Sequence, residues 1–253
     1  MIDINNFDMV YSPSFYSKNI VYVNRDRLFF HSFFQRLVYG DQKQTRLRCS
    51  IFINLVSKVL NVKGIASVLI IGSGKVGRGC ESLYENNVGI TGVDIYASPT
   101  TDYICDAHNL PFKDDSFEGV WIQSVLEHVV LPEVVVLEIN RILKVGGIVY
   151  SETPFLQQVH EGVYDFTRFT VLGHRYLFRE FKAIEFGFDK DARTVMAWSF
   201  RCWIRGLLRS QILSSLLAFP VFIILRLIDP YISSKVSCDS CSGVFYGKKE
   251  DGY

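Results

Sequence analysis

The sequence predicts an α/β protein built around a mostly parallel sheet. Short apolar runs of strand length alternate with helical segments between about residues 67 and 189, and the first run leads directly into a glycine-rich turn. Strands that alternate with crossover helices form parallel sheets with helices on both faces. With 253 residues, 49% hydrophobic and 21% charged, the chain is long and apolar enough for one large folded domain and is not a disordered protein.

Six segments are predicted to be strands. Five precede residue 155, and the sixth follows a long helical region and is expected to be an antiparallel strand at the edge of the sheet. In chain order they cover residues 67–71, 89–95, 103–105, 117–124, 147–153 and 243–248. Between the fourth and fifth runs, Pro132 in the first turn and Gly146 as the stop predict a helix, with Val135, Ile139 and Ile142 on its buried face.

Helical segments flank the alternating region on both sides. Aromatic and basic residues mix without strand alternation over 25–39 and 46–60, which predicts a helical N-terminal extension over 1–63. The main domain is then 64–253, with an apolar helical insertion over 191–240. Residues 210–225 carry no charge between Arg209 and Arg226. A membrane span needs about 20 apolar residues, so burial or peripheral contact with a membrane is predicted for 210–225.

Charge and cysteine content restrict the classes of function. Lys and Arg total 27 against 26 for Asp and Glu, so the basic excess expected of a nucleic-acid-binding protein is missing. The first eight residues lack the basic and apolar regions of a signal peptide, which favours a reducing cytoplasm with free thiols. Cys238 and Cys241 form one CxxC pair without a second, so no metal site is predicted.

A glycine turn and an acidic residue predict a nucleotide-type cofactor. Gly72, Gly74 and Gly77 follow the first predicted strand, where glycines allow a ligand to approach the backbone closely. Asp94 ends the second strand, where a carboxylate can accept hydrogen bonds from ribose hydroxyls. Together they indicate an adenosine-containing cofactor but do not distinguish NAD from S-adenosylmethionine.

The segments that follow distinguish the two cofactors. The runs CDAHNLPFKDDSFEGV at 105–120, SVLEHV at 124–129 and LEINRILKVGG at 137–147 resemble class I S-adenosylmethionine-dependent methyltransferases of the type 11 group. The resemblance covers roughly 67–154 and implies the Rossmann-like sheet of those enzymes, in which the last strand is antiparallel. Two positions depart from the pattern: Ile70 stands where an acidic residue is usual, and the third glycine, Gly77, comes one position late.

The resemblance also implies a set of cofactor contacts. Gly72 and Gly74 would lie against the methionine part, and Asp94 would hold the ribose. Asp106 would accept a hydrogen bond from the adenine amino group, although an aspartate that only caps its own turn is the alternative. The remaining residues predicted to surround the cofactor are Ser73, Ile95, Ala107, Leu110 and Gln123.

The acceptor is expected beyond the fifth strand, since open parallel sheets bind ligands at the carboxyl ends of their strands. Residues 154–170 resemble a stretch of methyltransferases that accompany glycan and polysaccharide biosynthesis, which implies a glycan or small-molecule acceptor. His160 is the candidate general base, with Asp165 to orient it or to bind sugar hydroxyls. Arg168 would pair with an acceptor anion or, for structural reasons, with Asp165. His128 and Tyr164 complete the predicted acceptor pocket.

Two other functions remain open from the sequence. A nicotinamide-dependent oxidoreductase would share the glycine turn and Asp94, but the passage from Asp106 to Phe117 gives that class no support. A catalytically inactive, membrane-associated protein that retained the fold is the other alternative, favoured by Ile70 and by the apolar residues 210–225. The sequence does not indicate an oligomeric state.

Overall fold

The computed structural model describes residues 43–59, 65–74, 77, 79–85, 88–159, 164–188, 192–228 and 242–251. Their strands form a seven-stranded sheet in the order β3-β2-β1-β4-β5-β7-β6. Strands β1 to β5 pair in parallel, and β7 is antiparallel to both of its neighbours. The strands are β1 (Ala66–Ile71), β2 (Val88–Asp94), β3 (Tyr103–Ile104), β4 (Phe117–Gln123), β5 (Leu143–Pro154), β6 (Lys182–Phe188) and β7 (Ser242–Lys248). The predicted fold class, with its antiparallel last strand, is confirmed.

Helices surround the sheet and also extend away from it. Those named here are α1 (Lys43–Val59), α2 (Glu81–Tyr84), α3 (Pro132–Ile142), α4 (Val171–Leu177), α5 (Ala192–Leu208) and α6 (Gln211–Ile228), with a short 3-10 helix at Leu126–His128. The predicted helix over 46–60 corresponds to α1. The predicted helix over 25–39 and the pair Cys238 and Cys241 lie outside the described residues.

The alternation of side chains along the strands divides the core into two apolar clusters. Leu69 and Ile71 of β1 and Val120 and Ile122 of β4 pack with the buried face of α3. The intervening residues point to the opposite face, where Val68, Ile70 and Trp121 pack against Phe52 and Val56 of α1. Since consecutive strand residues point to opposite faces, burial on both faces explains why β1 and β4 are almost continuously apolar.

The predicted edge strand is in fact an inner strand. β7 lies between β5 and β6, and residues 243–247 are buried. The edge is formed by β6, which was not predicted because most of its side chains remain exposed and give no clear alternation. The helix α3 ends at Ile142, before the predicted stop at Gly146, and β5 begins directly at Leu143.

The chain between β6 and β7 contains α5 and α6. The two helices contact each other extensively, and Ala197, Ala218 and Phe222 form a small apolar cluster between them. Pro220 lies within α6 without ending it. Among the helices described, none has the length and apolarity needed to cross a membrane.

Candidate functional site

The glycine turn closes tightly against the end of the second strand. The backbone N–H groups of Gly72 and Ser73 both donate to the carbonyl of Val93, at 2.9 and 3.0 Å. Gly72 has a φ of +81°, and a Cβ there would lie 2.3 Å from Cγ2 of Val125. A side chain at this position is therefore excluded by both backbone conformation and space. The first described helix after the turn, α2, begins only at Glu81.

The carboxylate of Asp94 lies directly beneath this turn. One oxygen accepts a hydrogen bond from the backbone N–H of Gly74 at 2.7 Å, and the other accepts from Tyr96 at 3.0 Å. Burial raises the pKa of Asp94, while these backbone hydrogen bonds act in the opposite direction. Each oxygen of an ionised carboxylate has about two acceptor positions, so capacity remains for two ribose hydroxyls. Ile95 follows in the bend after β2.

Asp106 caps its own turn through His108. Its Oδ1 accepts from the backbone N–H of His108 at 2.9 Å and lies 2.5 Å from Nδ1 of the same residue. Burial alone would raise the pKa of Asp106, but the hydrogen bonds from His108 lower it below its usual value. The carboxylate is 41% exposed, so capping its turn and accepting a hydrogen bond from an adenine amine are compatible.

The apolar side of the same loop is fixed by α3. Ala107 and Leu110 are buried, and the backbone N–H of Leu110 donates to Glu138 at 2.9 Å. Arg141 donates to Glu138 and also to the carbonyls of Leu110 and Phe112. This network determines where an adenine ring would meet apolar surface.

Two predicted cofactor residues are engaged by neighbouring side chains. The hydroxyl of Ser73 lies 3.3 Å from that of Thr101, and the side chain is buried there, so the backbone is the part of Ser73 that a ligand can reach. Gln123, at the end of β4, donates through Nε2 to Glu152 at 2.9 Å and accepts from the thiol of Cys80 at 3.1 Å. Sequence analysis did not single out Glu152, whose only signal is an acidic residue in an apolar strand.

Glu127 is the most unusual ionisable group at this end of the sheet. Its side chain has no exposed surface, and neither carboxylate oxygen has a hydrogen-bond partner in the part of the chain that the structure describes. Burial raises its pKa to about 8, despite its own backbone N–H and the charge of Arg168. The Nε2 atom of His128 lies 3.6 Å from Oε1 of Glu127. Glu127 lies within the SVLEHV motif, but the sequence pattern indicates no role for it.

His128 connects the end of β4 to the predicted acceptor segment. Its Nδ1 lies 2.5 Å from the backbone carbonyl of Tyr164, so Nδ1 carries the proton and donates it to that carbonyl. The backbone N–H groups of Phe166 and Thr167 donate to the carbonyl of Glu127. Burial, with a smaller effect of Tyr96, raises the pKa of Tyr164 to about 12. Residues 164–167 therefore lie against the turn that follows the carboxyl end of β4.

Asp165 and Arg168 form a partly buried ion pair. Arg168 contacts both carboxylate oxygens of Asp165 and donates further to the carbonyls of Gln157, Gln158 and Thr167. These contacts engage all five N–H groups of a guanidinium, so none is left for an acceptor anion in this arrangement. The structure thus shows the pairing that the sequence offered as the structural alternative for Arg168. His160 lies outside the described residues, and its role stays a prediction.

Comparison with known proteins agrees with this geometry. Residues 69–151 match the model of a family described as a methyltransferase domain. No curated protein matches the chain by sequence. Among solved structures, it is similar to 1,6-didemethyltoxoflavin-N1-methyltransferase from Burkholderia thailandensis, with 14% identity, a TM-score of 0.54 and coverage of 99% of this chain and 92% of that one. A SAM-dependent methyltransferase from Archaeoglobus fulgidus gives 15% identity, a TM-score of 0.52 and coverage of 87% and 100%.

The match of residues 69–151 to a methyltransferase domain favours S-adenosylmethionine over NAD, the two cofactors that the glycine turn allowed. The chain has the fold of the methyltransferases to which it is similar. The residues present fit S-adenosylmethionine, because Asp94 and Asp106 supply acceptors for hydroxyl and amine donors.

Proposed function

We propose that the protein transfers a methyl group from S-adenosylmethionine to a hydroxyl of a sugar, glycan or lipid-linked small molecule, within polysaccharide or glycan biosynthesis. The main support is the position of residues 164–167, which lie against Glu127 and His128 just after the carboxyl end of β4. An acceptor held by this segment would lie next to the cofactor site. The choice of a glycan-type acceptor rests on the resemblance of residues 154–170.

In this proposal each part of the cofactor is held by a different loop. The turn at Gly72 and Gly74 lies against the methionine part, and Asp94 binds the ribose hydroxyls. Asp106 accepts a hydrogen bond from the adenine amine, and Ala107 and Leu110 contact the ring. The remaining cofactor residues in this proposal are Ser73, through its backbone, Ile95 and Gln123. When bound, S-adenosylmethionine supplies a methyl group on a positively charged sulfur.

The protein's part in catalysis is to position the acceptor oxygen and remove its proton. Much of the rate enhancement in such a displacement comes from aligning the acceptor oxygen with the methyl carbon. A sugar hydroxyl is a weak nucleophile, so a base that takes its proton as the new bond forms contributes about 10²–10⁴-fold. We assign that role to His160. The ion pair of Asp165 and Arg168 is tied to the carbonyls of Gln157 and Gln158, and His128 and Tyr164 complete the pocket in this proposal.

Calorimetric titration with S-adenosylmethionine, S-adenosylhomocysteine and NAD tests the cofactor part of the proposal. We expect the first two to bind and NAD not to bind. Asp94→Ala should greatly weaken binding because the ribose loses its acceptor. Asp102→Ala is the matched control, since Asp102 also caps a backbone N–H, that of Gly92 at 2.7 Å, but is not assigned to the cofactor. Equal loss in both variants would show that Asp94 acts only through the turn.

An acceptor screen with nucleotide sugars and lipid-linked glycans tests the reaction. For His160→Ala we expect unchanged affinity for S-adenosylmethionine and turnover reduced by about 10²–10⁴-fold. Normal turnover would rule out His160 as the base. Cofactor binding without methylation of any acceptor would contradict the proposed reaction and favour the inactive alternative.

A further inference from the structure

The helical pair formed by α5 and α6 has an apolar surface that the rest of the described structure does not cover. Along α6, exposed apolar residues recur every three or four positions, which places them on one face of the helix. They are Leu213, Leu216, Leu217, Ile223, Ile224, Leu227 and Ile228. The opposite face of α6 carries Ala218 and Phe222, which are buried against α5. The exposed face spans about 22 Å at 1.5 Å per residue.

The partner helix adds a second set of exposed apolar residues. Met196, Trp203 and Leu207 of α5 are separated by seven and four positions, and each is more than half exposed. Trp203 is 65% exposed. Tryptophan is enriched where proteins meet the boundary between water and lipid, because its ring is apolar and its N–H is polar. Large apolar side chains that are exposed together on two adjacent helices form a continuous patch. Such a patch marks an interaction surface, whereas isolated exposed leucines do not.

The charge of the helical pair identifies what it would bind. Residues 192–228 contain five of the chain's 27 basic residues and none of its 26 acidic residues. The remainder of the chain therefore has four more acidic than basic side chains. All five of these basic residues are arginines, and Arg205 and Arg209 are exposed. Apolar residues combined with an unbalanced positive charge are the features of helices that lie in the surface of an anionic membrane.

The same charge argues against a second copy of the chain as the occupant. In a symmetric dimer the same patch meets itself, so two sets of arginines would be brought together. Like charges in such an arrangement oppose association. Phospholipid headgroups supply the opposite charge, and acyl chains accept the leucine and isoleucine side chains.

We propose that α5 and α6 bind the surface of an anionic lipid bilayer, with the exposed face of α6 in the boundary between headgroups and acyl chains. The pair also contacts the predicted acceptor segment, since Gln158 donates to the hydroxyl of Ser199 on α5 at 3.1 Å. Membrane binding would therefore bring the acceptor segment close to the lipid surface. The inference does not depend on the proposed reaction.

Sedimentation of the full-length protein with vesicles tests this inference. Vesicles of phosphatidylcholine alone are compared with vesicles that also contain phosphatidylglycerol, at low and at high salt. We expect binding to the anionic vesicles, weaker binding to the neutral ones, and a decrease with salt because screening shortens the range of the attraction. Absence of binding to both kinds of vesicle would overturn the inference.

Paired substitutions locate the contact. Leu217→Glu with Ile224→Glu should reduce the partition coefficient by at least about tenfold, because two exposed apolar side chains of α6 become charged. Leu172→Glu is the matched control, since Leu172 on α4 is 72% exposed and lies outside the pair; it should bind normally. Equal losses in both would show that the binding does not involve α6.

Neutralisation of the arginines gives an independent result if the glutamate variant folds poorly. Arg205→Ala and Arg209→Ala should each lower partitioning by about fivefold, as expected for one basic residue at an anionic surface, whereas Arg46→Ala on α1 should have no effect.

Sedimentation equilibrium without lipid tests whether a second copy of the chain covers this surface instead. A dimer that the double substitution Leu217→Glu with Ile224→Glu converts to a monomer would contradict the proposal. Titration with S-adenosylmethionine on the same variants separates this inference from the proposed reaction, because cofactor affinity should not change.

Discussion

Replacing Glu127 by glutamine should flatten the dependence of folding stability on pH between about pH 4.5 and 8. The carboxyl group is fully buried, without a hydrogen-bond partner among the described residues, and its pKa is raised to about 8 from an ordinary value of 4.5. Burial is the main cause, and the charges of Asp165 and Glu152 act in the same direction, while Arg168 acts against them. Glutamine keeps the shape of the side chain but has no proton to lose.

The sign of the effect follows from where the proton is held. Because the pKa of Glu127 is higher in the folded state than in the unfolded chain, the stability contributed by its protonated carboxyl group is fully present below about pH 4.5. It is lost as the pH rises toward 8, since the unfolded chain then releases the proton more readily. Each unit of pH is worth about 1.4 kcal/mol over most of this range. Between pH 5.5 and 8.5 the native protein should therefore lose about 3 kcal/mol more than Glu127→Gln does.

Urea denaturation at pH 5.5, 7.0 and 8.5 measures this difference. The change in the free energy of unfolding with pH is determined for both proteins and then subtracted, so that every other ionisable group cancels. Parallel profiles for the two proteins would refute the reasoning, because they would mean that Glu127 titrates in the folded state as it does in the unfolded chain.

Other substitutions test the turn and a buried histidine. Gly72→Ala should destabilise the fold by about 2–4 kcal/mol, because φ is +81° and the new Cβ would lie 2.3 Å from Val125. Gly206→Ala on α5 should instead stabilise the fold by about 0.5–1 kcal/mol, because nothing lies within 4 Å of the new Cβ. Thermal unfolding measures both changes. His174, which contacts Ser151 at 2.8 Å, has its pKa lowered to about 3 by burial, so its contribution is present above pH 6.5 and is lost as the pH falls toward 3. Between pH 7.5 and 4.5 the native protein should lose about 3 kcal/mol relative to His174→Gln, and equal acid sensitivity in urea denaturation would contradict this.

Most of the sheet could be predicted because its strands are buried on both faces. β1 (ASVLII) and the central part of β4 (VWI) are short apolar runs, which are recognisable without knowledge of their partners. β6 was missed for the opposite reason, since its exposed face gives it a mixed composition. The position of β7 inside the sheet depends on pairing with residues about one hundred positions away, and local sequence does not record such pairing.

In the candidate site, too, features that depend on local sequence could be predicted, and features that depend on long-range packing could not. The contact between the glycine turn and Asp94 could be predicted because it depends on local spacing after a strand, while the roles of Gly72 and Asp94 towards a cofactor stay predictions. The isolation of Glu127 and the contact between Gln123 and Glu152 depend on the packing of separate elements. The sequence left open whether Arg168 pairs with Asp165 or with an acceptor anion. The structure adds that its guanidinium also donates to the carbonyls of Gln157 and Gln158, which sequence spacing does not indicate.

The inner position of β7 has a consequence for the order in which the protein is made. β1 to β5 can pair as soon as residue 154 has left the ribosome, but β6 is joined to the sheet only through β7, which is synthesised after α5 and α6. During that interval the helical pair is already complete while the sheet still lacks its last two strands. If the helical pair binds lipid as proposed, a nascent chain would reach the lipid surface before its sheet closes, and β7 would complete the sheet there.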